Sequence, residues 1–136
     1  MNVAVCDDEK KTREQIVAMI KEQYSDAKIS CFTTAEEMIA GRGFFDICFL
    51  DIEMGSVSGI ELAKRIRKEQ GDSGKRSIII FVTGFREYME DAFDVNAFHY
   101  LVKPIKEKKF AEVFQRAVNE VASTGERSFM WWNENC

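Results

Sequence analysis

Short apolar runs alternate along the chain with longer stretches in which apolar residues recur every three or four positions. Residues 3–6 form the first run and stop abruptly at Asp7-Asp8-Glu9. Short, β-rich and cut off by charge, this run predicts a buried strand. Over residues 12–24, Ile16, Met19, Ile20 and Tyr24 keep helical spacing. Residues 28–32 alternate towards a second strand. Thr34 and Glu37 stand three apart, as in a capping box, ahead of a short helix that Gly41 and Gly43 end. Residues 45–50, broken only by Asp46, predict a third strand ending at Asp51. A loop covers residues 55–59, and Ser58 can cap a helix over 59–69 that turns Ile60, Ala63 and Ile66, with Leu62, to a core. After a turn-rich connection at residues 71–74, residues 78–82 give the strongest strand signal, closed by Thr83-Gly84. Residues 86–95 predict a helix with Met89, Ala92 and Phe93 on its inner side. Residues 98–102 predict a last strand ending at Lys103-Pro104. A long helix follows over 105–121, with Phe110, Val113, Phe114, Ala117 and Val121 in register.

The order is strand–helix, five times over. That alternation implies βαβ units and a parallel sheet with helices on both faces. The strand runs are apolar rather than alternating, as expected when both sheet faces are covered. Beyond residue 122 the rhythm breaks: residues 123–126 read as a linker and residues 128–132 as a lone strand. The chain therefore divides into residues 1–122 and a short segment, 123–136, with no internal repeat.

Composition narrows the function classes. A chain of 136 residues fits one domain, and 46% hydrophobic with 31% charged residues is a globular balance. The net charge of -4 argues against binding nucleic acid through net charge. With one histidine, a multi-histidine metal site is excluded, and a Ser-His-Asp triad would have to use His99. None of the four cysteines forms a CxxC pair, so a zinc ribbon or a thioredoxin motif is disfavoured. Cys6, Cys31 and Cys48 lie in apolar runs and read as buried, reduced thiols, which suggests the cytoplasm. The start of the chain does not read as a signal peptide, and no apolar run approaches the roughly 18 residues of a membrane span.

In an open parallel sheet, ligands bind beyond the carboxyl ends of the strands. Here those ends carry Asp7 and Asp8, then Asp51 with Glu53 two residues on, then Thr83, then Lys103. Close carboxylates repel unless a cation joins them. Oxygen ligands without His or Cys suit a hard ion such as Mg²⁺. Lys103 adds a point charge suited to a phosphate, and Thr83 can hydrogen-bond a phosphate oxygen. An aspartate among these groups is a candidate nucleophile towards phosphorus, so the inferred chemistry is phosphoryl transfer onto a carboxylate. Each piece alone has a plainer reading. Asp7 or Asp8 could cap the first helix, and Lys103-Pro104 could be an ordinary turn with Pro at the first helical position. Independent capping poorly explains all four pieces on the correct strands.

Those residues resemble the receiver domain of two-component response regulators over residues 2–121. The shared motif is Asp7-Asp8, Asp51, Thr83 and Lys103-Pro104. The resemblance implies a flavodoxin-like (βα)5 fold, a parallel α/β sheet of strand order 2-1-3-4-5. It implies that Asp51 takes a phosphoryl group from a phosphohistidine of a sensor histidine kinase. It implies Mg²⁺ (or Mn²⁺) held by Asp8 and Asp51, by Asp7 directly or through water, and by the Glu53 backbone carbonyl. Lys103 would pair with Asp51 or its phosphate, Thr83 and Gly84 would meet the phosphate, and the bond to Pro104 would be cis. Tyr100, three residues before Lys103, matches the family's switch aromatic. Phosphorylation would draw Thr83 to the phosphate and Tyr100 inward, altering the face made by the fourth helix, fifth strand and fifth helix. That face is also a candidate homodimer surface, although Phe110 on the last helix could equally serve the core.

Residues 81–85 and 96–105 are similar to receivers that precede a LytTR-type DNA-binding domain. On that likeness residues 129–132 would begin an effector domain, any DNA contact would belong to it, and no membrane contact is expected. His99 departs from such receivers, which often carry an acid there, and reads as incidental. Phe85 and Glu53 occupy positions that tune phosphate lifetime in the family. Two alternatives remain at this point. One is a Mg²⁺-dependent phosphohydrolase of the haloacid-dehalogenase type, which wants Asp where Glu53 stands. The other is a receiver-like binding module that is not phosphorylated. The first reading is not a multiple-turnover enzyme: it catalyses only its own phosphorylation and dephosphorylation.

Overall fold

The computed structural model describes the backbone of residues 1–41, 43–71 and 74–135, and the side chains among these up to Ser123. Five strands, β1 (Asn2–Cys6), β2 (Lys28–Phe32), β3 (Ile47–Leu50), β4 (Ile78–Thr83) and β5 (His99–Val102), alternate with five helices. The helices are α1 (Lys10–Gln23), α2 (Ala35–Gly41), α3 (Gly59–Gln70), α4 (Met89–Asp94) and α5 (Glu107–Asn135). All four strand pairings are parallel, in the order β2-β1-β3-β4-β5. This is the flavodoxin-like arrangement.

The pleat sorts the strand residues into two cores. Val3, Val5, Ile47, Phe49, Ile80, Val82 and Leu101 point to α1 and α5, where they meet Ile16, Ile20, Phe110, Val113 and Phe114. Phe49 stacks on Phe110 with ring centroids 5.2 Å apart. The alternate residues Ala4, Cys6, Cys48, Leu50, Ile79 and Phe81 point to α2, α3 and α4. Burial on both faces is why these strands lack polar alternation. Two caps act as predicted: the Glu37 N–H donates to Thr34 Oγ1 at 3.0 Å, and the Glu61 N–H to Ser58 Oγ at 3.1 Å.

Three expectations need correction, and the alternative left open at Phe110 is decided. The fourth helix is shorter than residues 86–95, and its inner stripe is Tyr88, Ala92 and Val95 rather than Met89, Ala92 and Phe93. Met89 and Phe93 are exposed, at 45% and 80%. One helical position is a rotation of 100°, so both patterns share Ala92 and only packing decides between them. Cys31 is exposed because β2 is an edge strand, whereas Cys6 and Cys48 are buried. Burial pushes the thiols of Cys6 and Cys48 up to about 12, which keeps them protonated. Phe110 belongs wholly to the core. Finally, α5 continues to Asn135 through the segment read as linker and lone strand. A helix satisfies its backbone groups internally, while a strand needs a neighbour to do so. The side chains of the 129–132 segment lie outside the described residues.

Candidate functional site

Strand register builds the site. Cys6 pairs with Phe32 on one side and Leu50 on the other, and Thr83 pairs with Val102. Each ladder then runs one residue further. The Asp7 N–H donates to Phe32 O at 3.1 Å, the Asp51 N–H to Cys6 O at 2.9 Å, and the Lys103 N–H to Thr83 O at 2.8 Å. Asp7, Asp51 and Lys103 are thus pinned by their own backbones to the carboxyl edge of the sheet.

Their side chains converge. Lys103 Nζ lies 3.1 Å from Asp7 Oδ2 and 3.3 Å from Asp51 Oδ2. It also lies 2.9 Å from Oε1 of Glu9. Asp7 and Asp51 are buried, and Glu9 is exposed. Asp51 Oδ1 accepts the Ile52 N–H at 2.8 Å, which orients the carboxylate. Asp7 Oδ1 accepts the Glu9 N–H at 2.9 Å. Neither Asp7 nor Asp8 caps α1: its N-cap is Glu9, without a side-chain cap. Capping therefore does not account for the acidic pair.

Electrostatics follow from this crowding. Burial first, and the charge of Asp7 second, push the Asp51 carboxyl up to about 6, against the pull of Lys103. Burial likewise raises Asp7. Lys103 is raised because the neighbouring carboxylates outweigh its own desolvation, and Glu9 is lowered by Lys103.

Carboxylate oxygens of Asp7, Asp8, Glu9 and Asp51 lie within 4.8 Å of one another. Asp7 Oδ2 is buried without a hydrogen-bond partner of good geometry, despite its nearness to Lys103 Nζ. An all-oxygen, acid-rich set with an unsatisfied buried oxygen fits a hard divalent cation. The Glu53 side chain is exposed, and the side-chain set gains Glu9 beside the expected aspartates. Glu9 is a site residue that sequence reasoning missed. Its only signal was a third acid following Asp7 and Asp8.

Thr83 is wholly buried at the end of β4, and its Oγ1 has no hydrogen-bond partner among the described residues. Gly84 follows it, exposed and with open space around its Cα. Tyr100 is half-buried against Phe81, and its hydroxyl donates to Phe85 O. Phe85 is 40% exposed and meets Tyr88 edge-on. His99 is half-buried, its Nδ1 accepts the Tyr100 N–H at 2.9 Å, and burial lowers its pKa. The Lys103–Pro104 bond is cis.

A second missed residue is Gly59. A Cβ built on it would stand 2.0 Å from Asp51 O, and the Gly59 N–H donates to Ile52 O at 2.8 Å. The first turn of α3 is therefore docked directly on the Asp51 backbone.

Comparison with known proteins gives three findings. The family described as "Response regulator receiver domain" matches residues 3–115. Among curated proteins, the sensory transduction protein LytT of Oceanobacillus iheyensis is 30% identical over 118 residues, covering 85% of this chain and 47% of that protein. The transcriptional regulatory protein BtsR of Escherichia coli is 35% identical over 123 residues, covering 88% of this chain and 49% of that protein. The chain spans about half the length of these relatives. Among solved structures, the response regulator protein TrrA of Thermotoga maritima, in complex with Mg²⁺ and beryllium fluoride, superposes with a TM-score of 0.69. It is 30% identical, with 85% of this chain and 97% of that one covered.

Proposed function

Because the chain belongs to the response regulator receiver family, we propose that Asp51 accepts a phosphoryl group from a phosphohistidine of a sensor histidine kinase. The chain is the receiver domain of a two-component response regulator. The observation that supports Asp51 as acceptor is its buried carboxylate, held 3.3 Å from the Lys103 ammonium beside Asp7. An oxygen of Asp51 attacks phosphorus. The bond from phosphorus to the imidazole nitrogen breaks, its electron pair stays with the imidazole, and an acyl phosphate forms.

Asp7, Asp8 and Asp51 would hold the cation, Mg²⁺ or Mn²⁺, with the Glu53 carbonyl completing the set. Bound there, it supplies positive charge against the phosphoryl oxygens. Lys103 keeps Asp51 ionised against its burial and then follows the new negative charge. The Thr83 hydroxyl donates to a phosphoryl oxygen. Tyr100 leaves Phe85 O and turns into the space that Thr83 vacates. Phosphorylation adds about -1.5 to -2 charges, which is the driving force. The face of α4, β5 and α5 carries the output and is the candidate surface for a second copy of the chain. Hydrolysis of the acyl phosphate by the domain itself resets the switch.

The name of BtsR, a transcriptional regulatory protein, supports a DNA-binding output of LytTR type in a further domain. On this reading residues 1–122 are the phosphoacceptor unit, and residues 123–136 lead towards that output. A cytoplasmic location suits the kinase partner. No helix among the described residues is long and apolar enough to cross a membrane.

The test is intact mass after incubation with Mg²⁺ and acetyl phosphate. The wild type gains one phosphoryl group, and Asp51→Asn gains none. Uptake by Asp51→Asn at the wild-type rate would remove Asp51 as acceptor.

A further inference from the structure

The Lys103 ammonium has three acidic neighbours, and they are not equivalent. Asp7 and Asp51 form the buried floor of the site, at 3.1 and 3.3 Å. Glu9 stands at the mouth with its side chain 62% exposed, yet it makes the shortest contact, at 2.9 Å. Its carboxylate lies among the oxygens of the acidic cluster. A phosphoryl group that reaches Lys103 and Asp51 therefore comes within a few ångströms of this charge.

We propose that Glu9 is a gate for phosphoryl donors: a positioning carboxylate that holds Lys103 in the resting site and repels donors according to their negative charge. The inference rests on Asp51 as phosphoacceptor. It adds that the resting position of Lys103 is maintained by a group outside the buried acids. Two physical effects act together. Glu9 competes with the incoming phosphoryl group for one ammonium, because each of them is an acceptor for the same donor. Its unit charge also raises the energy of an anionic donor a few ångströms away, in proportion to the donor's charge and screened by salt. Glu9 has no hydrogen bond to the floor carboxylates, which cannot donate when ionised; its bond to Lys103, helped by the Thr12 hydroxyl, draws it inward. Once Lys103 turns to the phosphoryl oxygen, Glu9 is released to water.

Donor charge separates this role from a structural one. Acetyl phosphate is a dianion near neutral pH, and phosphoramidate carries one net negative charge fewer. With either donor, Asp51 attacks phosphorus and the leaving group (acetate or ammonia) departs with the bonding pair. The ammonia takes the proton already on its nitrogen. The experiment measures the rate of phosphoryl uptake by intact mass at saturating Mg²⁺, for the wild type and Glu9→Gln. It uses both donors at low and high salt.

Glu9→Gln should take up acetyl phosphate's phosphoryl group about fivefold faster at low salt. The gain should be smaller with phosphoramidate and should shrink as salt rises. Glu9→Asp keeps the charge at the mouth but is one methylene shorter, so it should retain the wild-type salt dependence. A Glu9→Gln rate at or below wild type, or an equal gain with both donors at both salts, overturns the gate. Labelling of wild-type Asp51 in the same assay shows that such a failure concerns Glu9 alone. If the wild type takes up no phosphoryl group from either donor, the acceptor reading falls and the gate falls with it.

Discussion

Replacing Gly59 with alanine sets helix propensity against the docking of α3 on the backbone of Asp51, the proposed phosphoacceptor. Gly59 is the first residue of α3. At a helical position Gly→Ala ordinarily stabilises by about 0.5–1 kcal/mol, because alanine loses less backbone entropy. Here the new methyl carbon would lie 2.0 Å from Asp51 O, 2.8 Å from Asp51 C and 3.0 Å from Ile52 Cα. These are backbone atoms, so no side chain can swing aside. Ordinary contact begins near 3.4 Å, and the two backbones must part by over an ångström. That parting stretches the Gly59 N–H bond to Ile52 O and tilts the peptide carrying Asp51. Overpacking of this kind costs about 1–3 kcal/mol, which outweighs the propensity gain. For a domain of this size the melting temperature should fall by about 3–8 °C. The acceptor carboxylate should also shift, and a displacement near 1 Å can slow a positioned reaction about 100-fold. Thermal denaturation followed by circular dichroism and acetyl phosphate labelling followed by mass read the two effects. A Gly59→Ala protein that melts at or above the wild type and labels at the wild-type rate would refute the argument.

Two further outcomes follow from the same geometry. Without divalent cation, the Asp51 carboxyl is raised to about 6 by burial and by Asp7, so the folded state binds its proton more tightly than the unfolded state does. This group's contribution is therefore fully present below about pH 4 and is lost as pH rises through about 6, amounting to about 1–3 kcal/mol. The unfolding free energy from urea titration should be about 1 kcal/mol lower at pH 7 than at pH 5, with a correspondingly lower midpoint, and Asp51→Asn or added Mg²⁺ should flatten the dependence. Equal midpoints without Mg²⁺ would contradict it. Arg67 donates to Ser77 O, Val95 O and Asn96 O at 2.6, 2.9 and 3.0 Å, tying α3 to the turn after α4, where Asn96 has φ of 56°. Arg67→Ala should destabilise the domain by about 2–3 kcal/mol while leaving labelling of Asp51 intact, as read by denaturant titration beside the mass assay.

Much of this was legible in the sequence, for a physical reason. In a parallel sheet the residue that ends each apolar run is also the residue that reaches the binding edge. Asp7, Asp51, Thr83 and Lys103 could therefore be read from run boundaries alone. What stayed hidden depends on distance and packing. Glu9 bonds Lys103 across 94 positions of sequence, and nothing local distinguishes it from a solvated acid. Gly59 looks like the end of a loop until the Asp51 carbonyl is seen where its side chain would be. Arg67 sits on a charged helical stretch that reads as a solvated face, and the carbonyls it serves come from Ser77, just before β4, and from the α4–β5 turn. The inner stripe of α4 could not be chosen from so short a helix: Tyr88, Ala92 and Val95 compete with Met89, Ala92 and Phe93 on nearly equal terms.

The pleat that builds the site also limits where a signal from it can travel. Asp7 continues the alternation of Val3 and Val5, Asp51 that of Ile47 and Phe49, and Lys103 that of Leu101, all on the α1/α5 side. Thr83 continues Ile79 and Phe81, and Tyr100 packs with the same cluster, on the side of α2, α3 and α4. The acidic site and the proposed switch residues thus occupy opposite parities of one sheet edge. A new charge on Asp51 can be neutralised by Lys103 without disturbing either core. It reaches α4 only if a group of the other parity turns towards it. On the proposed reading Thr83 is that group: it is buried, its hydroxyl lacks a partner among the described residues, and β4 lies between the strands that carry Asp51 and Tyr100. The Tyr100 hydroxyl in turn holds the carbonyl of Phe85, in the segment leading into α4. The proposed route from acceptor to α4 therefore has one polar step at Thr83 and one at Tyr100. Between them lies close-packed side-chain volume, which favours two discrete arrangements over gradual deformation.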